Sequence, residues 1–180
     1  MSGKNRHLKG DINPIIAPVH SFHAVEAGDL MVLSATPGLT GAGSTADNYA
    51  IPFDYTTMEA ASVEASHQAR YYYFLGVAME DSPSGVTENI TIAQSGVFRY
   101  PLHESFIGAA VTIGAYVSAV SNSIGAGASA QNVAIGSFAT GSVGTTAYLG
   151  YIMKTESGAS FVDFQLRTAY GPGGLAGSGE

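Results

Sequence analysis

The five histidines of the chain include one cluster with the spacing of metal ligands. His20 and His23 lie three residues apart, and Glu26 follows them. Residues three apart share a face of a helix, but Pro18 and the strand-like context disfavour a helix here. On a strand the two imidazoles would point to opposite faces and could not chelate one ion. We therefore expect two polar residues on an exposed segment and no metal site.

Other arrangements that could support catalysis are equally weak. No serine lies in a Gly-x-Ser-x-Gly motif, which would place a nucleophile on a sharp turn. Glu80 and Asp81 are adjacent carboxylates, but they precede a turn at Pro83, which favours solvated acids over a glycosidase pair. Residues 125–130 are similar to a dinucleotide-binding loop but lack its strand–turn–helix frame. From the residues we expect no catalytic group, no cofactor and no enzyme activity.

The composition excludes several classes of protein. The chain has 180 residues, a formal net charge of -7, 12% charged residues, 23 glycines and no cysteine. The acidity disfavours nucleic-acid binding, and the lack of cysteine excludes disulfides and cysteine-ligated zinc. The longest apolar run, residues 106–120, is shorter than the ~20 residues of a membrane helix and is rich in β-branched side chains. No Asp, Glu, Lys, Arg or His occurs from residue 105 to residue 153, so this bare stretch needs an explanation.

The pattern of turns and apolar residues predicts a mainly β chain. Short strands separated by Gly-, Pro- and Asp-containing turns are typical of a compact barrel or sandwich of antiparallel strands. One short helix is predicted at about residues 57–69, because alanines and glutamates there follow Thr56 or Thr57. The predicted strands cover residues 30–33, 71–79, 86–93, 97–100, 111–120, 133–138, 146–153 and 160–167.

Three segments are predicted along the chain. Residues 25–170 form a single β domain, and residues 171–180 form a flexible Gly-rich tail. Residues 1–24 form an extended arm, since Pro14 and Pro18 break any helix and the apolar residues show no sustained period. So many apolar side chains suggest an arm that docks on a partner. The residues expected to make that contact are Lys4, Arg6, Lys9, Ile12, Ile15, Ile16, Val19 and Phe22.

Two features in the predicted strands bear on assembly. Residues 74–79 (FLGVAM) resemble residues 148–153 (YLGYIM), and each segment leads through acids and Ser-Gly to another strand. Such repetition suits a fold built from similar hairpins. Alternation would expose Tyr71 and Tyr73, which could contact a protein or a sugar or pack on neighbouring strands. We expect these tyrosines, together with Val117, Ile135 and Phe138, to be either oligomer contacts or core contacts.

The order of the motifs between about residues 25 and 168 resembles a known family. The motifs are Gly28-Asp29-Leu30-Met31-Val32-Leu33, Phe74-Leu75-Gly76-Val77-Ala78, Gly96-Val97-Phe98, Val111-Thr112-Ile113-Gly114-Ala115-Tyr116-Val117, Leu149-Gly150-Tyr151-Ile152 and Phe161-Val162-Asp163-Phe164-Gln165-Leu166. Together they resemble the small Gly/Ala-rich capsid decoration (cement) proteins of tailed double-stranded-DNA bacteriophages. Departures are Ala115 where that family often has Asp, and a longer segment from residue 37 to residue 70.

The resemblance implies a function and partners. It implies a virion structural protein, usually a homotrimer, that binds the major capsid protein on the outer surface of the phage head and stabilises it. Such a protein would be made in the host cytoplasm and would bind neither nucleic acid nor membrane. The alternative is a receptor- or glycan-binding head domain of a phage fibre or of a bacterial surface protein. In either case we expect no enzyme.

Overall fold

A computed structural model describes residues 6–19, 21, 23–33, 49–52, 74–102, 111–121, 131–135, 138–139, 146–147, 149–154 and 160–168. Within these ranges the backbone forms β-strands and no helix, so no described helix could cross a membrane. The strands are β1 Arg6–Lys9, β2 Pro14–Val19, β3 Leu30–Leu33, β4 Ala50–Pro52, β5 Phe74–Ala78, β6 Glu88–Ala93, β7 Val97–Pro101, β8 Tyr116–Ser121, β9 Gln131–Ile135, β10 Phe138–Ala139, β11 Thr146–Ala147, β12 Gly150–Lys154 and β13 Phe161–Leu166.

The strands form one closed barrel and two open sheets. The barrel has the order β2-β4-β3-β5-β6, and the larger open sheet has the order β1-β7-β13-β12-β8-β9. Strands β10 and β11 pair with each other. The prediction of a mainly β, barrel-containing chain is confirmed, with β2 and β4 as a parallel exception to the antiparallel pairing. The helix predicted at residues 57–69 and the tail at residues 171–180 lie outside the described residues.

The segment predicted as an arm contributes two strands. β1 pairs with β7 at the edge of the open sheet, whereas β2 pairs with β6 along its whole length and with β4 at Val19. Residues 14–19 therefore belong to the β domain, and the boundary predicted at residue 24 falls inside the barrel. Pro14 and Pro18 fit in β2 because proline is compatible with a strand where its missing N–H is not needed by the ladder.

The barrel interior is filled by alternate side chains of its strands. Met31 on β3 lies inside, in one buried cluster with Val19 and Ile92, while its neighbours Leu30 and Val32 lie on the outer face. Strand β5 contains a bulge opposite β3. Gly76 pairs with Met31 and Phe74 pairs with Val32, so Leu75, which lies between them in sequence, has no partner on β3. The bulge lets Phe74 and Val77 both face outward.

The open sheet repeats the barrel strand for strand. Strands β2, β6, β5, β3 and β4 follow one another around the barrel, and β7, β13, β12, β8 and β9 follow in the same order in the sheet. The registers also match. Val77 faces Ala93 where Tyr151 faces Gln165, Ala78 faces Ile92 where Ile152 faces Phe164, and Pro18 faces Asn89 where Pro101 faces Phe161.

Hydrogen bonds outside the ladders follow the same correspondence. The Gly28 N–H donates to the Ala78 carbonyl at 2.7 Å, and the Gly114 N–H donates to the Ile152 carbonyl at 2.8 Å. Both glycines have positive φ, 100° and 86°. The chain thus contains two copies of one five-stranded unit, which we call the first half (residues 12–95) and the second half (residues 96–168). The second half is not closed by a ladder, because β7 and β9 lie close together without being hydrogen-bonded.

Each half depends on one glycine that touches the backbone of the facing strand. A Cβ built on Gly76 would overlap the Ala93 carbonyl and lie 2.9 Å from its carbon, and a Cβ on Gly150 would stand in the same relation to Gln165. These glycines are the third residues of the two similar segments, FLGVAM and YLGYIM. The similarity seen in the sequence therefore corresponds to two equivalent hairpins.

The two halves are joined by a shared core. The outward residues of β3, β5 and β6 form one buried cluster with residues from the second half. From the first half it includes Leu30, Val32, Phe74, Val77 and Ala93, and from the second Phe98, Tyr100, Leu102, Val117, Leu149, Ile152, Val162, Phe164 and Leu166. The outer face of β3, β5 and the end of β6 is therefore covered by the second half of the same chain.

Replacing Gly150 by alanine should destabilise the protein by about 3 kcal/mol or more, because the new methyl group would overlap a backbone carbonyl that cannot move out of the ladder. Gly76→Ala should have a similar effect. The control is Gly85→Ala, where a Cβ meets nothing within 4 Å and only the positive φ of 95° is unfavourable; we expect about 1 kcal/mol there. Urea unfolding followed by circular dichroism measures the differences, and equal losses at Gly150 and Gly85 would contradict the overlap.

Truncation should show that the two N-terminal strands, β1 and β2, contribute differently to stability. Of the described strands, removing residues 1–9 deletes the edge strand β1 alone; its described side chains are exposed, so cooperative unfolding should be retained. Removing residues 1–19 also deletes β2, which opens the barrel and exposes its core, so cooperative thermal unfolding should be lost. Near-ultraviolet circular dichroism of the tyrosines reports both results. A folded 20–180 fragment would show that β2 is dispensable.

Candidate functional surface

The apolar residues predicted to dock on a capsid or a neighbour have different environments. Ile16 on β2 is 75% exposed and is available for contact. Val19 is fully buried in the barrel, and Ile15 is half-buried against the same cluster. Ile12 is half-buried against the core between the halves. Of these four residues, Ile16 alone presents most of its surface to solvent, because strand alternation turns its neighbours toward the core.

The basic residues of that segment lie on or before the edge strand. Lys9 is exposed on β1, next to the exposed Leu8. For Arg6 the backbone alone is described, paired with Arg99 of β7. Lys4 and Phe22 lie outside the described residues. The exposed part of β1 thus combines a cation with an apolar side chain at the edge of the open sheet.

Of the residues predicted as oligomer or core contacts, the structure describes the side chain of Val117 alone. Val117 is fully buried between the halves and is a core residue. The backbone of Ile135 faces Val117 across β9 and β8, and Phe138 lies in β10; their side chains are not described. Tyr71 and Tyr73 lie outside the described residues.

The histidines do not form a metal cluster in the part of the chain that is described. His23 is half-buried and Glu26 is exposed, while His20 lies outside the described residues. The His7 ring instead contacts that of Phe98 in a tilted arrangement, with centroids 5.3 Å apart, and its Nε2 donates to the Gly10 carbonyl at 3.1 Å. His7 therefore helps to hold β1 against β7.

Three acids near the turn before β3 accept hydrogen bonds from backbone N–H groups. The Glu80 carboxylate accepts hydrogen bonds from the Thr91 N–H at 3.2 Å and hydroxyl at 2.9 Å. Asp81 accepts from the Ala27 N–H at 2.7 Å, and Asp29 accepts from the Glu26 N–H at 2.9 Å. Glu80 and Asp81 were predicted to be solvated turn acids. They are exposed, and each also binds a backbone N–H, which an ionised carboxylate does well.

Tyr100 connects the two halves through a buried hydroxyl group. Its O–H donates to the carbonyl of Gly28, at the turn before β3, and its ring lies 5.5 Å from that of Phe164. Burial raises the pKa of the Tyr100 phenol well above its ordinary value, and the negative charge of Asp29 raises it further. The side chain is therefore neutral at physiological pH and acts as a hydrogen-bond donor.

An ion pair lies on the outer surface of the second half. The Arg99 guanidinium donates to both carboxylate oxygens of Asp163, at 2.7 and 3.0 Å. Asp163 is buried and Arg99 is partly exposed. The equivalent positions of the first half are occupied by Ile16 and Thr91, which face each other across β2 and β6. One half thus has a bidentate ion pair where the other exposes an apolar side chain.

The second half also carries a contiguous apolar surface. It comprises Ile113, Tyr116, Tyr151 and Met153, and we call it the tyrosine face. Tyr116 and Tyr151 face each other across β8 and β12, and the Gly114–Ile152 hydrogen bond brings Ile113 beside Met153. Ile113 is 66% exposed, Tyr116 46% and Met153 40%. The face lies within the stretch that lacks charged residues.

The equivalent residues of the first half are Ala27, Leu30, Val77 and Met79. Leu30 and Val77 belong to the core between the halves, Met79 packs against it, and Ala27 is half-buried. Sequence reasoning did not single out the tyrosine face. The sequence does contain a signal, because the Gly28 and Gly114 motifs and the two Leu-Gly segments allow the two halves to be aligned. The structure then shows which aligned positions differ in burial.

Comparisons with protein-family models, with curated proteins and with solved structures found no match.

Tyr100→Phe should reduce stability at pH 7 by about 1–3 kcal/mol, because the buried hydrogen bond from the Tyr100 hydroxyl to the Gly28 carbonyl is lost. Tyr151→Phe is the control, since the hydroxyl of this half-buried tyrosine makes no described hydrogen bond and its ring keeps its place 6.0 Å from Arg167. Chemical unfolding of the three proteins gives the comparison. Equal stability of Tyr100→Phe and wild type would show that the hydroxyl does not link the halves.

The pH dependence provides a second test of the same bond. Above pH 10 the unfolded wild-type chain releases the Tyr100 proton while the folded chain retains it, so ionisation favours unfolding. The stability of the wild type should then fall relative to Tyr100→Phe by about 1.4 kcal/mol per pH unit until the raised pKa is reached. The difference in the free energy of unfolding between wild type and Tyr100→Phe should therefore be smaller above pH 10 than at pH 7. Unfolding curves at the two pH values measure it, and an unchanged difference would contradict the raised pKa.

Proposed function

We propose that this chain is a virion structural protein, a decoration protein that binds the outer surface of a tailed-phage capsid and stabilises it as a homotrimer. The observation that carries the proposal is the position of the motifs on which the family resemblance rests. They coincide with the turn before β3, with β5, with the start of β7, with the turn before β8, and with β12 and β13. The turns before β3 and β8 are equivalent parts of the two halves, as are β5 and β12, and β5 and β12 contain the two backbone-contacting glycines.

The physical character of the chain supports a structural role. A decoration protein needs a rigid module and surfaces that pack on other proteins. The β module is built here from two fused units with a shared core. Large apolar side chains remain exposed on both halves, with Ile16 on the first and the tyrosine face on the second. Exposed apolar surface of this kind marks protein–protein contact sites.

The capsid-binding role is assigned to the N-terminal strands. Leu8 and Lys9 are exposed on β1, and Ile16 is exposed on β2. Both strands are held by the folded module, so the contact residues are presented in a fixed geometry and lose little conformational entropy on binding. Many copies on one shell would further raise the apparent affinity.

The test is co-sedimentation with capsids assembled from the major capsid protein encoded in the same genome. Wild-type protein should bind saturably, and Ile16→Asp should reduce occupancy by about tenfold or more, since a charge would be placed in an apolar contact. Val86→Asp is the matched control, because Val86 is also exposed and β-branched but lies outside the assigned surface.

Two results would contradict the proposal. One is a wild-type protein that does not co-sediment with such capsids. The other is specific binding of the isolated protein to glycans on an array, with no binding to capsids, which would favour a receptor-binding head. Equal loss of binding in Ile16→Asp and Val86→Asp would contradict the assigned surface.

A further inference from the structure

We propose that the tyrosine face is the surface through which one copy of this chain binds a second copy. The inference deepens the proposed function, on which it rests only for the expected trimer. The contact itself is inferred from the internal repeat and does not require a capsid.

The first half shows what covers this surface. At the same positions of the same five-stranded unit, Leu30 and Val77 are each 1% exposed because the second half of the chain lies over them. The cover of this unit's outer face is thus a β unit of the same type. In the second half Tyr116 occupies the position of Leu30 and Tyr151 that of Val77, and neither is buried.

The residue types suit a surface that is exposed in the free chain and buried in an assembly. Tyrosine and methionine are enriched at protein interfaces, and charged residues are depleted at their centres. Leu30 and Val77 of the first half are buried within the chain, whereas the equivalent residues of the second half are tyrosines, whose hydroxyl groups can hydrogen-bond to water. No charged residue belongs to the face itself.

The charges around the face complement another part of the same chain. Lys154 follows Met153 on β12, and the Arg167 guanidinium lies 6.0 Å from the centre of the Tyr151 ring. These two cations flank the face at opposite ends, because the Arg167 N–H donates to the Leu149 carbonyl before β12 and Lys154 is the last residue of that strand. The end of the first half that is equivalent to Lys154 is acidic, with exposed Glu26, Glu80 and Asp81. A face flanked by cations and an acidic region on the other half favour head-to-tail contact between copies. Contacts of that kind close into rings such as trimers.

Sedimentation velocity of the full chain over a range of concentrations tests the proposal. Wild-type protein should self-associate, and Tyr116→Arg should raise the dissociation constant by about 30-fold or more, because a charge would be desolvated at the centre of the contact. Ile16→Arg is the matched control: Ile16 is even more exposed, and the equivalent position in the second half is an arginine, Arg99. It should associate like the wild type.

A second measurement does not depend on a charge in the face. The chain has no cysteine, so Tyr116→Cys and Ile16→Cys each carry one thiol. Maleimide labelling of the cysteine at position 116 should slow as the protein concentration is raised, whereas labelling at position 16 should not change.

Three outcomes would overturn the inference. They are a monomeric wild type at all concentrations, equal association of Tyr116→Arg and wild type, and labelling at position 116 that is independent of concentration. Loss of capsid binding by Tyr116→Arg with unchanged association would also overturn it and would assign the face to the capsid. Since association is measured without capsids, a failed co-sedimentation would leave it standing.

Discussion

Contact between a glycine and the carbonyl of the facing strand is the constraint on which both halves depend. Gly76 lies against Ala93, and Gly150 lies against Gln165, with no room for a side chain in either place. The contacts lie at equivalent positions of two hairpins, β5–β6 and β12–β13. In the first half the contact coincides with the bulge that lets Phe74 and Val77 both face outward. The outward pair then supplies the surface on which the second half packs, so the junction between the halves also depends on this hairpin.

The junction combines apolar packing with one directed polar contact. Apolar burial between β units is non-directional and would tolerate several arrangements. The hydrogen bond from Tyr100 to the Gly28 carbonyl adds direction, because a buried carbonyl without a donor is unfavourable in any other arrangement. Asp29, beside that turn, binds a backbone N–H of the same turn. The turn before β3 is therefore held both from within its own half and from the other half.

Much of the fold could be predicted from local sequence, and its closure could not. β3 lies at the residues predicted for it, and β6, β7 and β13 lie within a few residues of theirs, because alternation and flanking turns mark strands locally. The strand predicted at residues 111–120 begins instead at Tyr116, since Gly114 forms a turn with positive φ. β2 was missed because its two prolines suggested irregular chain, and β4 because three residues carry little pattern. Of the candidate surface, Ile16 was predicted, whereas the tyrosine face required knowing what covers its counterpart.

Two copies of one unit in a single chain have a consequence for how its residues can change. In a protein with one copy, a position on the outer face must satisfy internal packing and any external contact together. Here the same position occurs twice, once as Leu30 beneath the second half and once as Tyr116 at the surface. Substitutions at the second position can therefore accumulate without loosening the junction that the first maintains. The repeat thus assigns the packing that holds the chain together and the surface that meets other molecules to different residues.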